Sequence, residues 1–121
     1  KLTKEMGLVT FVRSAREVDC QIRAMQPWPT AYTYWHKGNG TPVRLLLLQA
    51  KPSADQGTDR PPGEVIAVLP DRVLVACGLG TVLELYRVQP SGKKPQEMAE
   101  FLRGYRLQVG HRLADEKTRP A

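Results

Sequence analysis

Residues 21–35 read QIRAMQPWPTAYTYW, and they contain the change of pattern that determines the fold. Up to Gln26 the chain has the spacing of an amphipathic helix, whereas the second half has the aromatic composition of a β-strand. Pro27 and Pro29 each disfavour helical conformation in the residue before them. The stretch therefore predicts a helix that ends by Gln26, with a strand close behind it.

Trp28 stands between the two prolines, and two roles are open to it: gripping a ligand or holding the fold together. We expect the structural role, in which the indole lies over the body of the domain and buries on the order of 150–250 Å². In that position the joint formed by Pro27, Trp28 and Pro29 would fix the angle between the helix and the strands.

The sequence also predicts where the helix begins. Ser14 and Glu17 have the spacing of a capping box, in which the Ser14 hydroxyl accepts from the Glu17 amide and the Glu17 carboxylate accepts from the Ser14 amide. Val18 and Ile22 follow at the spacing of a single apolar face. The pattern predicts a helix over residues 15–25.

After the prolines, short apolar runs alternate with turn signals, as in an all-β domain. KGNG at residues 37–40 and GLG at residues 78–80 each predict a turn between two strands. Residues 52–63 are a polar loop rich in Pro and Gly. The predicted strands cover residues 31–35, 42–51, 64–69, 72–77 and 81–89, and a second helix is predicted over residues 95–103.

About five to six short strands with a short helix near each end predict a mainly β fold. The arrangement favours a small open barrel of the oligonucleotide-binding (OB) kind, and a strand-only sandwich is the alternative. The segment GYRLQVGHRL, residues 104–113, closes the predicted barrel.

The composition is that of one globular domain. The chain has 121 residues, 41% of them hydrophobic and 25% charged, and no apolar run approaches the roughly 20 residues of a membrane span. No signal peptide is visible, so we expect a cytoplasmic location and no membrane partner. We also expect a monomer. The chain starts at Lys1 rather than Met, so we expect a fragment, a processed product or a trimmed chain.

Cys20 and Cys77 are far apart, and neither belongs to a CxxC pair. Two buried free thiols are expected in a reducing cytoplasm, because free Cys packs as a small apolar residue. A disulfide between them is the alternative.

The sequence contains no recognisable catalytic residue, metal site or cofactor site. His36 and His111 have no Cys, His or carboxylate at metal-ligand spacing. The glycines at residues 78–80 lie between two strands rather than in a phosphate loop. No serine stands in a nucleophile elbow. We expect this piece to be inactive by itself.

The charge points to a polyanion. The formal net charge is +6, and the excess lies toward the two ends of the chain, in residues 1–25 and 87–112. Such clusters suit RNA phosphates, whereas a merely solvated surface is the alternative. The candidate RNA-binding residues are Lys1, Lys4, Arg16, Arg23, Lys93, Lys94, Arg103 and Arg106.

Lys93 and Lys94 are the strongest candidates. They are expected just before a helix, where the helix dipole favours acidic residues, so a pair of lysines there is locally unfavourable and hints at a function. Tyr32 and Tyr34 share one face of a predicted strand. They could stack on bases, although packing in the core or at an interface is the expected role.

Three separated motifs resemble the C-terminal domain of the methionyl-tRNA formyltransferase family. They are SAREVDCQIRAMQPWPTAYTYW at residues 14–35, PGEVIAV at residues 62–68 and VQPSGKKPQEMAEFLRGYRLQVGHRL at residues 88–113. Departures are small: residues 9–11 are Val-Thr-Phe where the family commonly has Ile-Asp-Trp, and residues 25–26 are Met-Gln where Phe-Asn is common.

The resemblance implies a parent enzyme that moves the formyl group of 10-formyltetrahydrofolate to the methionyl amino group of initiator tRNA. Its catalytic residues would lie in an N-terminal domain of the same chain, and the OB-like barrel would hold tRNA through a basic surface. Residues 1–13 would be interdomain linker, residues 14–113 the barrel and residues 114–121 a flexible tail. The alternative is a structural or substrate-lining barrel in a related formyltetrahydrofolate hydrolase or sugar-nucleotide formyltransferase.

Overall fold

The structure is a computed structural model that describes residues 1–54 and 56–117. Two α-helices flank a set of short strands, and 3₁₀ turns occupy Lys4–Gly7 and Gly78–Gly80. The helices are α1 (Ala15–Ala24) and α2 (Met98–Gly104). The strands are β1 (Tyr32–His36), β2 (Val43–Pro52), β3 (Val65–Val68), β4 (Val73–Ala76), β5 (Val82–Pro90), β6 (Gln96–Glu97) and β7 (Arg112–Ala114).

The strands form one antiparallel sheet in the order β3-β4-β5-β2-β1-β7, with β6 paired to β5. The two ends of this sheet meet. The Val65 amide donates to the His111 carbonyl at 2.8 Å, and the Leu113 amide donates to the Gly63 carbonyl at 2.7 Å. The sheet therefore curls into a nearly closed barrel, which confirms the predicted mainly β, OB-like fold over the sandwich.

The capping box is confirmed. The Glu17 amide donates to Ser14 Oγ at 3.2 Å, and the Ser14 amide donates to Glu17 Oε1 at 3.0 Å. Next to it, the first helical amide, that of Ala15, donates to Thr81 Oγ1 at 2.9 Å. A side chain on Gly78 would overlap the backbone oxygen of Val12, so glycine is required where the β4–β5 turn meets the start of α1.

The second helix begins later than predicted. Gln96 and Glu97 pair with β5, so α2 starts only at Met98. The expectation that Lys93 and Lys94 directly precede a helix was wrong. They lie in the turn between β5 and β6, where the helix-dipole argument does not apply.

The centre of the barrel is Trp35, which is 1% exposed. Its ring lies 5.9 Å from that of Phe101 and 6.3 Å from that of Tyr105, centroid to centroid. Its Nε1–H donates to Nδ1 of His111 at 3.0 Å. One indole thus joins β1, α2 and the segment that leads into β7.

The predicted packing role of Trp28 was wrong, because 53% of this residue is exposed. The chain folds back on itself here: the Thr30 amide donates to the Met25 carbonyl at 2.9 Å, and Thr30 Oγ1 donates to the Pro27 carbonyl at 2.8 Å. Within this turn Pro29 is the buried residue, and Trp28 faces solvent.

The cysteines are both free, as expected, but only Cys77 is buried. Cys20 lies on the exposed side of α1, so its predicted burial was wrong. Burial raises the pKa of the Cys77 thiol to about 12, which keeps it protonated and unreactive.

Both ends of the chain contribute to the barrel. Val9 and Phe11 pack in the core, and Leu8 forms a bridge with Tyr32 of β1. Ala114, which the sequence placed in the tail, is instead the buried last residue of β7. The rest of the division into linker, barrel and tail stays a prediction, and residues 118–121 lie outside the described part of the chain. No helix in the described ranges is long and apolar enough to cross a bilayer.

The two tryptophans provide a direct test of this core. Trp35→Ala should lower the free energy of unfolding by about 3–5 kcal/mol, because it empties a fully buried site. Trp28→Ala removes the same side chain from an exposed site and should cost below about 1 kcal/mol. Denaturant melts of both variants check this, and a larger loss for Trp28→Ala than for Trp35→Ala would contradict the assignment.

Candidate nucleic-acid interface

Ion pairs divide the lysines and arginines into two groups. In the first group the guanidinium already has a carboxylate partner, at distances from 2.8 Å for Arg60 and Glu64 to 3.5 Å for Arg13 and Glu17. A partner carboxylate offsets much of the charge that such a residue presents to a distant anion. The arginines of this group are Arg13, Arg23, Arg60, Arg72, Arg87 and Arg112.

The second group has no ion pair within the described residues, and most of the predicted RNA-binding residues fall in it. Its predicted members are Lys1, Lys4, Arg16, Lys93, Lys94, Arg103 and Arg106, and all seven are exposed. Arg23 is the exception among the candidates, because its Nε lies 3.2 Å from Asp19 Oδ2. Seven of the eight candidates therefore carry a charge that no acid neutralises within the described ranges.

The turn between β5 and β6 presents Lys93 and Lys94. The Lys93 amide donates to the Pro90 carbonyl at 2.9 Å, and Gly92 takes the positive φ of 81° that this tight turn needs. The Gln89 side-chain amide donates to the Lys93 carbonyl at 2.7 Å. These bonds fix the backbone of the turn and leave both ammonium groups in solvent.

Arg103 and Arg106 lie at the other end of α2. Arg103 is in the last helical turn, where a cation complements the partial negative charge of the exposed carbonyls. That position alone accounts for a basic residue. Arg106 lies beyond the helix and has no such structural role.

The N-terminal arm lies along α1. The Gln21 side-chain amide donates to the carbonyls of Met6 and Leu8 at 2.9 and 3.1 Å. An open groove runs between the arm and the helix, and Arg16 is part of its lining. The structure thus places Arg16 next to the arm that carries Lys1 and Lys4.

Arg44 is a basic residue that the sequence did not single out. It has no ion pair among the described residues. Its Nη1 donates to Ser91 Oγ at 3.2 Å, and Ser91 lies two residues before Lys93 in the chain. Its guanidinium carbon lies 4.3 Å from the centroid of the Tyr32 ring. The signal for it was weak: a single arginine at the start of the apolar run of residues 45–48.

Tyr32 and Tyr34 pack against other side chains and are not open platforms for base stacking. Tyr32 is 8% exposed and meets Tyr34 edge to face, with ring centroids 6.0 Å apart. Tyr34 is half-buried, so neither ring lies fully open to a base.

His111 is held neutral by its surroundings. Burial, and then the charge of Lys37, lower the pKa of its imidazole below the usual value of 6.5. Two donors converge on Nδ1, the indole of Trp35 at 3.0 Å and the Gln108 amide at 3.2 Å, so the proton of the neutral ring lies on Nε2. Within residues 1–54 and 56–117, no group of His, Cys, Asp and Glu is placed to hold a metal ion.

Comparison with known families identifies the barrel. A family model described as formyl transferase, C-terminal domain, matches residues 1–106. The chain belongs to this family. The resemblance of the three sequence motifs is thereby confirmed.

The relatives of this formyl transferase C-terminal domain are longer proteins. Methionyl-tRNA formyltransferase of Magnetococcus marinus is 40% identical over 115 residues, which are 95% of this chain and 34% of the relative. The enzyme of the same name from Roseiflexus sp. is 38% identical over 98% of this chain and 34% of the relative. That from Gluconacetobacter diazotrophicus is 41% identical over 93% of this chain and 34% of the relative. The chain spans about a third of the length of the curated relatives that it matches.

The environment of His111 predicts how the stability of the domain depends on pH. Its pKa is lower in the folded than in the unfolded chain, so its contribution is complete above the unfolded value near 6.5 and is lost as the pH falls through the folded value. Protonation also removes the acceptor for Trp35. Denaturant melts at about pH 7.5 and about pH 5.5 should therefore show a loss of stability on acidification.

The matched variant is His111→Asn, which keeps an acceptor near the position of Nδ1 and does not titrate in this range. It should lose less stability than the wild-type chain between the two pH values. His36 is retained in both proteins, so its contribution is common to them. Equal losses would contradict the assignment to His111.

Proposed function

We propose that this domain holds initiator methionyl-tRNA for a methionyl-tRNA formyltransferase. In that enzyme, a catalytic domain of the same chain would transfer the formyl group of 10-formyltetrahydrofolate to the methionyl amino group. The observation that supports this role is the set of exposed cations that have no acidic partner among the described residues, on a barrel whose relatives carry that enzyme name. On this proposal, the catalytic residues and the folate site would belong to that catalytic domain.

The proposed mechanism is electrostatic. Each ammonium or guanidinium group replaces counterions on a tRNA phosphate, which favours binding without reading sequence. Lys93 and Lys94 would contact one part of the backbone, and Lys1, Lys4 and Arg16 another. Arg103 and Arg106 would add to the same field, whereas Arg23 would contribute less because Asp19 is its partner. The barrel would orient the acceptor stem toward the catalytic domain.

The remaining parts of the proposal follow from the family. The protein would act in the cytoplasm as a monomer, with residues 1–13 as the linker to the catalytic domain. A structural barrel in a formyltetrahydrofolate hydrolase or sugar-nucleotide formyltransferase is less favoured. Such a role requires no cluster of unneutralised cations, and the curated relatives compared here carry the tRNA enzyme name.

Salt titration tests the electrostatic mechanism. If the 121-residue chain uses about four phosphate contacts, its affinity for initiator tRNA should fall about 100-fold between about 50 and about 200 mM salt. Fluorescence anisotropy with a labelled initiator tRNA transcript measures this. An affinity that does not change with salt would rule the mechanism out.

A charge-matched pair of variants tests where the tRNA binds. Lys93→Gln with Lys94→Gln should weaken binding about tenfold or more, because two phosphate contacts are lost. Lys37→Gln with Lys51→Gln removes the same charge from two exposed lysines that are not among the proposed contacts, and it should change binding by less than about threefold. Equal effects of the two pairs would show a response to net charge alone, and the proposed surface would be wrong.

A further inference from the structure

Resting on the proposed function, we propose that Arg44 is a preorganised clamp for an RNA phosphate, held in place by Tyr32 and Ser91. The three residues are called the Arg44 clamp below. Arg44 lies outside the basic ends of the chain, and only the fold brings it to the surface that carries Lys93.

The position of Arg44 follows from strand register. In β1, Tyr32 and Tyr34 point to the same face because side chains alternate along a strand. Arg44 of β2 lies directly opposite Tyr34, on that same outer face, and diagonal to Tyr32. Its neighbours in the chain, Val43 and Leu45, belong to the opposite, core-facing side.

Two contacts hold the guanidinium. Its central carbon lies 4.3 Å above the Tyr32 ring, well inside the roughly 6 Å range of cation–π attraction. One nitrogen donates to Ser91 Oγ at 3.2 Å, and the Ser91 amide donates back to the Arg44 carbonyl at 3.0 Å. Stacking on Tyr32 uses the flat face of the guanidinium, so the N–H groups around its edge can still donate to other acceptors. A guanidinium has five N–H donors, so this hydrogen bond leaves others free.

Arg60 shows what the Arg44 clamp lacks. The Arg60 guanidinium donates two bonds to the Glu64 carboxylate, at 2.8 and 2.9 Å. That paired arrangement is also how arginine binds a phosphate. No carboxylate in the described residues forms an ion pair with Arg44.

The Arg44 clamp connects two separate groups of predicted RNA-binding residues. On one side, Ser91 belongs to the β5–β6 turn that presents Lys93 and Lys94. On the other side, Tyr32 bridges to Leu8, which directly follows the 3₁₀ turn that contains Lys4. The clamp therefore lies on the outer face of β1 and β2 between these two groups, where a run of RNA phosphates could contact all three.

The test compares single charge removals in the 121-residue chain, with initiator tRNA transcript as the probe. Arg44→Gln should weaken binding about tenfold at low salt and reduce the slope of log affinity against log salt by about one. Arg60→Gln removes the same charge from a guanidinium that is already paired with the Glu64 carboxylate, so it should change binding less than about twofold. Arg44→Lys keeps the charge but loses the fork and should fall between the two.

A double-mutant cycle separates the clamp from a general charge effect. Tyr32→Leu leaves the charge unchanged, yet it should weaken binding when Arg44 is present and have little effect in the Arg44→Gln background. Denaturant melts confirm that each variant is folded under the binding conditions. Independent effects of the two substitutions would show that Tyr32 does not position Arg44, and the clamp would be wrong.

The outcomes also separate this inference from the proposed function. If Lys93→Gln with Lys94→Gln weakens binding while Arg44→Gln does not, the clamp is wrong and tRNA binding stands. If Arg44→Gln weakens binding of initiator tRNA but not of an elongator tRNA, Arg44 reads a base, which also overturns a phosphate clamp. If the wild-type chain shows no salt-dependent binding to either tRNA, both proposals fall.

Discussion

The buried indole of Trp35 sets the constraint on which the rest of the structure depends. A tryptophan in a barrel core brings a polar N–H with it, and leaving that group unpaired costs about 1–3 kcal/mol. His111 supplies the acceptor at 3.0 Å, while Phe101 and Tyr105 cover the ring. The end of α2 and the segment that leads into β7, both distant in the chain from Trp35, therefore have to be placed correctly around this side chain. Their placement also positions α2 and the β5–β6 turn that presents the exposed lysines.

Local signals were sufficient for much of the fold. The capping box at Ser14 and Glu17, the alternation of apolar runs with turns, and the two prolines after α1 act over a few residues, and each is visible in the sequence. The choice between Trp28 and Trp35 is different, because it depends on which face of a closed sheet each residue meets. The start of α2 is also non-local, since Gln96 and Glu97 are taken up by pairing with β5 rather than by their own helical preference.

The same distinction applies to the candidate interface. The excess of basic residues at the two ends could be counted from the sequence, and the partner of Arg23 was visible there as well, because Asp19 lies four residues before it on one helix. The importance of Arg44 could not be predicted. It depends on the register of β1 with β2 and on the alignment of β2 with the end of β5, which together bring Tyr32 and Ser91 to its guanidinium.

The closure of the barrel has a further consequence, for how the domain approaches a charged partner. Near the seam where β3 meets β7, Arg60 and Arg112 are each matched by a glutamate, so that side presents little net field. The turn with Lys93 and the strand with Arg44 carry charge that is not matched. These unmatched cations attract a polyanion mainly within the Debye length of about 8 Å, because salt screens their charge beyond it. Within that distance the field turns the cationic face forward before any contact forms, which favours productive over unproductive encounters.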